Sequence, residues 1–135
     1  MVLDSSACLD VVLDTDPGRL LHAALREDRE PGLLAPGLLW VEVGRVLRAK
    51  VADGGLTPQS AEAALADFLD LGVQETHVVP LLVRAWRLRD NLTVDDAVFV
   101  ALAEATTQPL LTTDLRLAAA ARDHADIDVI THLDA

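Results

Sequence analysis

Pro109-Leu110-Leu111-Thr112-Thr113-Asp114 is a short apolar run that ends in an acid, and a helical stretch from Leu115 to Arg122 follows it directly. The chain opens on the same theme. Met1-Val2-Leu3 runs into Asp4, then Ser5-Ser6, then a helical stretch from Ala7 to Leu13. An acid or hydroxyl between a strand and a helix is where a capping side chain belongs, so both stretches read as strand, cap, helix. Further strand-like runs alternate with helices, and no hairpin turn joins any two of them. That pattern predicts an α/β three-layer domain, a central, mainly parallel sheet flanked by helices.

Moving from the first unit toward the second, Asp16 reads as the cap of a helix with Pro17 at its first position, carrying Leu20, Leu21, Ala24 and Leu25 on one side. Arg29-Glu30-Pro31-Gly32 ends it. Leu33 to Ala35 is a brief strand. Pro36 then punctuates before a long helix from Leu38 to Ala52, stopped by Gly54-Gly55. Thr57-Pro58 starts the next helix, which runs to Leu71 with Ala64, Leu65, Phe68 and Leu69 as its apolar face and Gly72 as its stop. Thr76 to Val79 is β-like and closed by Pro80. Leu81 to Asp90 is a helix, and Asn91-Leu92 leads to a cap at Thr93 and a largely apolar helix beyond it. Asp128 to Thr131 makes a last strand.

With 135 residues and 51% hydrophobic content, residues 1–135 read as a single domain with a real core, despite a net charge of -11. The apolar runs Val78 to Val83 and Ala97 to Ala103 are far too short to cross a bilayer, and the first residues lack the basic stretch of a signal peptide. The expectation is a soluble, cytoplasmic protein without a membrane partner. One cysteine, Cys8, fits a reducing compartment and reads as a small buried residue. So acidic a chain does not coat nucleic acid non-specifically. Its basic residues are nevertheless concentrated: Arg45, Arg48 and Lys50 form one set, Arg84, Arg87 and Arg89 another. Each set reads equally as a solvated helix face or as a local phosphate-binding rim.

Two carboxylates lie on faces that should be packed. Asp96 shares a helical stripe with Phe99, Val100 and Ala103, and Glu42 lies within the stripe of Leu39, Val43 and Val46. Desolvating an unpaired carboxylate costs several kcal/mol, so each needs a partner. Asp4 and Asp114 sit at carboxyl ends of strands, where parallel sheets carry their functional crevice. If all four acids meet there, they form an oxygen-only site for a hard divalent cation such as Mg²⁺ or Mn²⁺, which suits phosphodiester hydrolysis. Each acid also has a simpler employment. Asp4 and Asp114 are natural N-caps, Thr93 to Asp96 fits a capping box, and Glu42 has Arg45 and Arg48 within helical reach.

The order of these residues resembles the PIN-domain ribonucleases, especially the VapC-type toxins of bacterial toxin–antitoxin pairs. The resemblance spans the chain and rests on Asp4 after the first strand, Glu42 in the helix after Leu33-Leu34-Ala35-Pro36, Asn91 to Ala97 continuing to Ala103, and Leu110 to Leu117. It implies a PIN-like fold and a metal-dependent endoribonuclease whose catalytic acids are Asp4, Glu42, Asp96 and Asp114. Asp4, Asp96 and Asp114 would hold Mg²⁺ or Mn²⁺, and Thr112 or Thr113 would help hold the site. It further implies a homodimer and a cognate antitoxin that covers the groove. Arg45, Arg84 and Arg87 would then draw RNA to the acids, with the two threonines beside them. The chain departs from the family pattern at Asp95, where an aromatic residue is common, and at Ser5. Asp95 either joins the metal or favours the helix N-terminus, and the second is its simpler use.

Other readings compete. Leu9 to Gly18, with Asp14 and Asp16 after an apolar run, resembles the calcium-binding start of the nucleoside hydrolases, but Arg19-Leu20-Leu21 follows where that family has further acids. A non-catalytic binding module of the same fold would use the acids only as caps and in salt bridges. His22, His77, His124 and His132 show no metal-ligand spacing, and the chain has no glycine-rich phosphate loop.

Overall fold

The computed structural model describes residues 1–27 and 32–134, so the expected stop of the second helix at Arg29–Pro31 lies outside it. Five short strands form one sheet: β1 (Val2–Leu3), β2 (Leu34–Pro36), β3 (Gln74–Thr76), β4 (Leu110–Leu111) and β5 (Val129–Ile130). Every pairing is parallel, in the order β3-β2-β1-β4-β5. Val2 is in register with both Leu34 and Leu110, so β1 is central and its residues are covered on both faces.

The helices are α1 (Ser5–Val12), α2 (Asp16–Glu27), α3 (Leu38–Ala52), α4 (Pro58–Asp70), α5 (Leu82–Arg87), α6 (Val94–Thr106) and α7 (Leu115–His124). The steps from β1 to β2 and β2 to β3 run one way across the sheet, and those leading to β4 and β5 run the other. Right-handed crossovers therefore put α1–α4 on one face and α5–α7 on the opposite one, as the contacts of α1 with α3 and α4 and of α5 with α6 bear out. The direction reverses between β1 and β4. Such a switch point opens a crevice beyond the carboxyl ends of the strands.

Helix α6 is the centre of the core: Ala97 to Ala103 are all buried, and the helix packs on β1, β2, β4 and α5. It is apolar on every side because protein surrounds it. Across the sheet, Leu39 and Val43 of α3 and Ala64 and Phe68 of α4 are buried, with the Trp40 and Phe68 rings 5.8 Å apart. Leu65 and Leu69, expected on the same apolar face, are exposed, since α4 packs through a narrower stripe. In α2, Leu21 is buried and Leu25 partly so, while Leu20 faces solvent. Cys8 is buried, and burial together with the Asp4 charge raises its thiol to about 12.

Two local expectations change. The cap of α2 is Thr15, whose hydroxyl accepts the Gly18 N–H at 3.2 Å; Asp16 is instead the first helical residue, bound to Arg19. The β-like stretch ends at Thr76, because its partner strand β2 ends at Pro36 and offers nothing further to pair with. Val79–Leu81 becomes a 3₁₀ turn with Pro80 inside it. Among the described residues no helix is long and apolar enough to cross a membrane.

Helices α1 and α2 touch at Gly18, where an added Cβ would lie 1.9 Å from the Asp10 carbonyl oxygen. Gly18→Ala is expected to lower stability by about 1–3 kcal/mol in denaturant unfolding, since backbone must shift to admit the methyl group. Thr107 closes α6 in the left-handed region at φ 53. Thr107→Gly is expected to raise stability by roughly 1 kcal/mol, because that conformation strains a β-branched residue but not glycine.

Candidate active site

The end of β1 and the end of β4 are fastened together by hydroxyls. Asp4 leaves β1 buried and caps α1, its Oδ1 accepting the Ala7 N–H at 2.9 Å. The Thr112 hydroxyl, fully buried, donates to Asp4 Oδ2 at 2.6 Å and accepts the Asp114 N–H at 3.0 Å. Between them stands Ser6, whose hydroxyl lies 2.8 and 3.0 Å from the two Asp4 oxygens, 3.1 Å from the Thr112 hydroxyl, and accepts the Thr113 N–H at 3.2 Å. The Thr113 hydroxyl points elsewhere and donates to Asp10 Oδ2 at 2.5 Å, while Thr15 donates to Asp10 Oδ1 at 2.8 Å. Thr112 and Thr113 thus spend their hydroxyls inside the protein, holding the loop that carries Asp114.

Asp114 caps α7, Oδ1 accepting the N–H groups of Arg116 at 3.0 Å and Leu117 at 3.1 Å. Capping occupies that oxygen alone, and Oδ2 has no partner among the described residues. Asp96 lies in the first turn of α6 behind the Thr93 cap and is half-buried. Glu42, in the second turn of α3, has a buried Oε1 with no hydrogen-bond partner among the described residues. So Asp4 and Asp114 are caps that also stand at the switch point of the sheet, whereas Asp96 and Glu42 cap no helix among the described residues.

The charges of these acids act on one another. Burial raises Asp4 to about 6, against the hydrogen bonds from Ala7, Thr112 and Ser6, and the Asp96 charge pushes the same way. Burial raises Glu42 to about 7, with Asp95, Asp96 and Asp4 adding to the rise and Arg45 opposing it. Asp96 is raised by burial, then by the charges of Asp114 and Asp95, while the Thr93 hydroxyl and Arg116 resist. All four acids, and Asp95, share one field. Among the described residues no three acidic, histidine or cysteine side chains stand close enough to hold an ion as they lie. The donor set is nonetheless oxygen-only, mutually repelling and left with an unpaired buried oxygen, which is what a hard divalent cation relieves.

The basic residues divide by partner. Arg84 is not free for a ligand: its guanidinium makes a two-point pair with Glu104 at 2.8 and 3.0 Å. Arg45 is exposed one turn from Glu42, and Arg87 is exposed at the end of α5. The basic residue whose charge acts on Asp96 is Arg116, which grouping by sequence neighbourhood does not single out. Its one signal is a place two residues past Asp114, in the first turn of α7. Ser6 carries a similar signal, two residues past Asp4.

Comparison with known proteins shows what the chain as a whole is similar to. The model of the PIN domain family matches residues 1–123. Ribonuclease VapC12 of Mycobacterium tuberculosis is 33% identical over 130 residues, 96% of this chain and 98% of that protein. Ribonuclease VapC1 of the same organism is 37% identical over 121 residues, 88% of this chain and 89% of the other. Among solved structures, PAE2754 of Pyrobaculum aerophilum superposes with a TM-score of 0.68 at 22% identity, over 95% of this chain and 81% of that one. A chain of the VapBC2 structure from Rickettsia felis does so with a TM-score of 0.69 at 11% identity, covering 96% of both.

The shifts of Asp4 and Glu42 set a pH dependence for the metal-free protein. Both are higher folded than unfolded, so their contribution to stability is fully present below about pH 4 and is lost as pH rises through about 6 and 7. Glu42→Gln is expected to stabilise the metal-free protein at pH 8 by about 1–2 kcal/mol, a figure discounted for its half-exposed side chain, and to change little at pH 4. Thermal unfolding in chelator at the two pH values checks this, and equal effects at both would contradict it.

Proposed function

The chain belongs to the PIN-domain family, and from that premise we propose that it is the ribonuclease of a toxin–antitoxin pair, hydrolysing RNA phosphodiester bonds with the help of Mg²⁺ or Mn²⁺. The observation that carries this reading is the meeting of Asp4, Glu42, Asp96 and Asp114 in one field at the switch point of the sheet, with Glu42 Oε1 buried and unpaired. The names of the VapC relatives support it independently.

Asp4, Asp96 and Asp114 would hold the cation. When bound, it supplies a Lewis acid that activates water and stabilises charge on the phosphorus. The remaining steps belong to the chain's own residues. Glu42 takes the proton of the attacking water at Oε2, the oxygen that is not buried, a role suited to a carboxyl that titrates near neutrality. Ser6 and Thr112 keep the Asp4 carboxylate in one orientation throughout. Arg45 and Arg87 draw the RNA backbone toward a surface whose net charge would otherwise repel it. Asp95 favours the N-terminus of α6 and stays outside the metal shell. Single-stranded RNA suits so recessed a set of acids, because its backbone bends to reach them.

The partners follow from the same reading: a homodimer, and a cognate antitoxin that covers the acids in a cytoplasmic complex. The exposed Val79, Val83 and Trp86, one apolar strip along the 3₁₀ turn and α5, support a protein surface that is covered in the assembly.

The test is cleavage of a mixed RNA pool by the purified chain with Mg²⁺, with Mn²⁺ and with chelator. Asp96→Asn is expected to cut at least about 100-fold more slowly while unfolding at an unchanged or higher temperature, since it removes charge from a crowded site. Cleavage that survives chelator, or survives Asp96→Asn undiminished, would sink the proposal.

A further inference from the structure

Beside the acids, between the segment that leads into α6 and the first turns of α7, opens a cleft of ≈ 360 Å³. Asp96 and Asp114 form its end nearest the site, Asn91 and Thr93 line one side, and Arg89 and Arg116 flank it. The size is that of a small-ligand pocket, and the lining is polar and of mixed sign.

Three arginines elsewhere in the fold are committed to acids, and the two of the cleft are not. Arg19 is paired with Asp14 and Asp16, Arg84 with Glu104, and Arg122 with Asp134. Arg116 has no ion pair among the described residues. Its backbone N–H serves the Asp114 cap while its side chain is left for a ligand. Arg89 lies over the Trp86 ring, Cζ 4.6 Å from the ring centre, and donates from Nη1 to the Trp86 carbonyl at 3.0 Å. That double hold fixes the guanidinium before anything binds, so ordering it costs a ligand little. Its remaining N–H groups have no partner among the described residues and can bind an anion. Asn91 makes no side-chain hydrogen bond among the described residues, and its amide carries both a donor and an acceptor, as the edge of a base requires.

From these juxtapositions we infer that the cleft seats the nucleotide adjoining the bond that is cut, with Arg116 and Arg89 on its phosphates and Asn91 on the edge of its base. The inference rests on the ribonuclease reading for the position of the cut, but the cleft's affinity for RNA can be measured without any cutting. Two cations beside three carboxylates, Asp90, Asp96 and Asp114, make functional sense here. The arginines hold the strand's own charge on one side of the scissile phosphate, and the acids are kept for the other side. Asn91 would then bias which base stands next to the cut, whereas Arg116, a phosphate contact, would act on all sequences alike.

The experiment is fluorescence anisotropy of a labelled single-stranded RNA of roughly 12 mixed nucleotides, in chelator so that nothing is cut, across a salt series. Arg116→Ala is expected to weaken binding roughly tenfold and to reduce the slope of log affinity against log salt by about 0.7, the loss of one phosphate contact on a single strand. Arg116→Lys, which keeps the charge, should recover the slope; a residue with only a structural role would not separate these two variants. Because the Arg116 side chain makes no hydrogen bond or ion pair among the described residues and acts on Asp96 only through its charge, both variants should unfold within a few degrees of the wild-type temperature. Wild-type affinity and slope in Arg116→Ala overturn the inference, and so does a wild-type chain that binds no RNA. The first outcome beside intact metal-dependent cleavage removes the cleft and leaves the ribonuclease standing. A chain that cuts nothing yet loses RNA binding and slope with Arg116 keeps the cleft and removes the ribonuclease.

Discussion

The structure turns on the hydrogen bonds that tie the end of β1 to the end of β4. Strands of two or three residues contribute few ladder bonds, so the sheet has little hold of its own at the switch point. Thr112 and Ser6 supply it through Asp4, and in doing so they draw a buried carboxylate into the same crevice as Asp114. Once Asp4 is fixed there, the positions of the other acids follow from topology. Helix α6 must lie across β1, β2 and β4 to fill the core, and its first turn brings Asp96 to the crevice. Helix α3 begins directly after β2 and brings Glu42.

This arrangement works against stability. Four carboxylates in one field, one of them with an unpaired buried oxygen, are a liability in a domain whose total stability is on the order of 5–15 kcal/mol. Capping offsets part of it, since Asp4 and Asp114 each satisfy orphan N–H groups at a helix start. Glu42 and Asp96 cap nothing and are offset only in part, by Arg45 in one case and by the Thr93 hydroxyl and Arg116 in the other. A fold that needed only caps would have no use for either of them on a packed face.

Much of the fold was legible because its signals are local. Thr57-Pro58 and Thr93 announce helix starts by their own chemistry, and the helix Leu38–Ala52 has the bounds its flanking Pro36 and Gly54-Gly55 suggest. Where the reading failed, the cause was a partner distant in sequence. Thr76 to Val79 has the composition of a strand, but pairing ends where β2 ends. Leu65 and Leu69 have the right spacing for a core face, yet α4 meets the sheet over a narrower stripe.

The candidate site divides the same way. Asp96 and Glu42 were conspicuous as charges on apolar stripes, a feature visible in one helix at a time. The arginines were not so readable, because a cluster in sequence is not a cluster in space. Arg84 belongs to the set that reads as a rim, but Glu104, one element away, claims it. Arg116 belongs to no set and stands beside Asp96 only because α7 follows β4 at the switch point.

The most direct test of the central claim, that these acids form one site for one kind of cation, is calorimetric titration of the metal-free chain with Mn²⁺ at pH 6 and pH 8, in buffers of different ionisation enthalpy. The account predicts saturable binding that releases protons at pH 6, where Asp4 and Glu42 are still partly protonated, and releases fewer at pH 8; Asp114→Asn should weaken it by at least about tenfold. Binding without proton release at either pH, binding indifferent to Asp114→Asn, or no binding at all would contradict it.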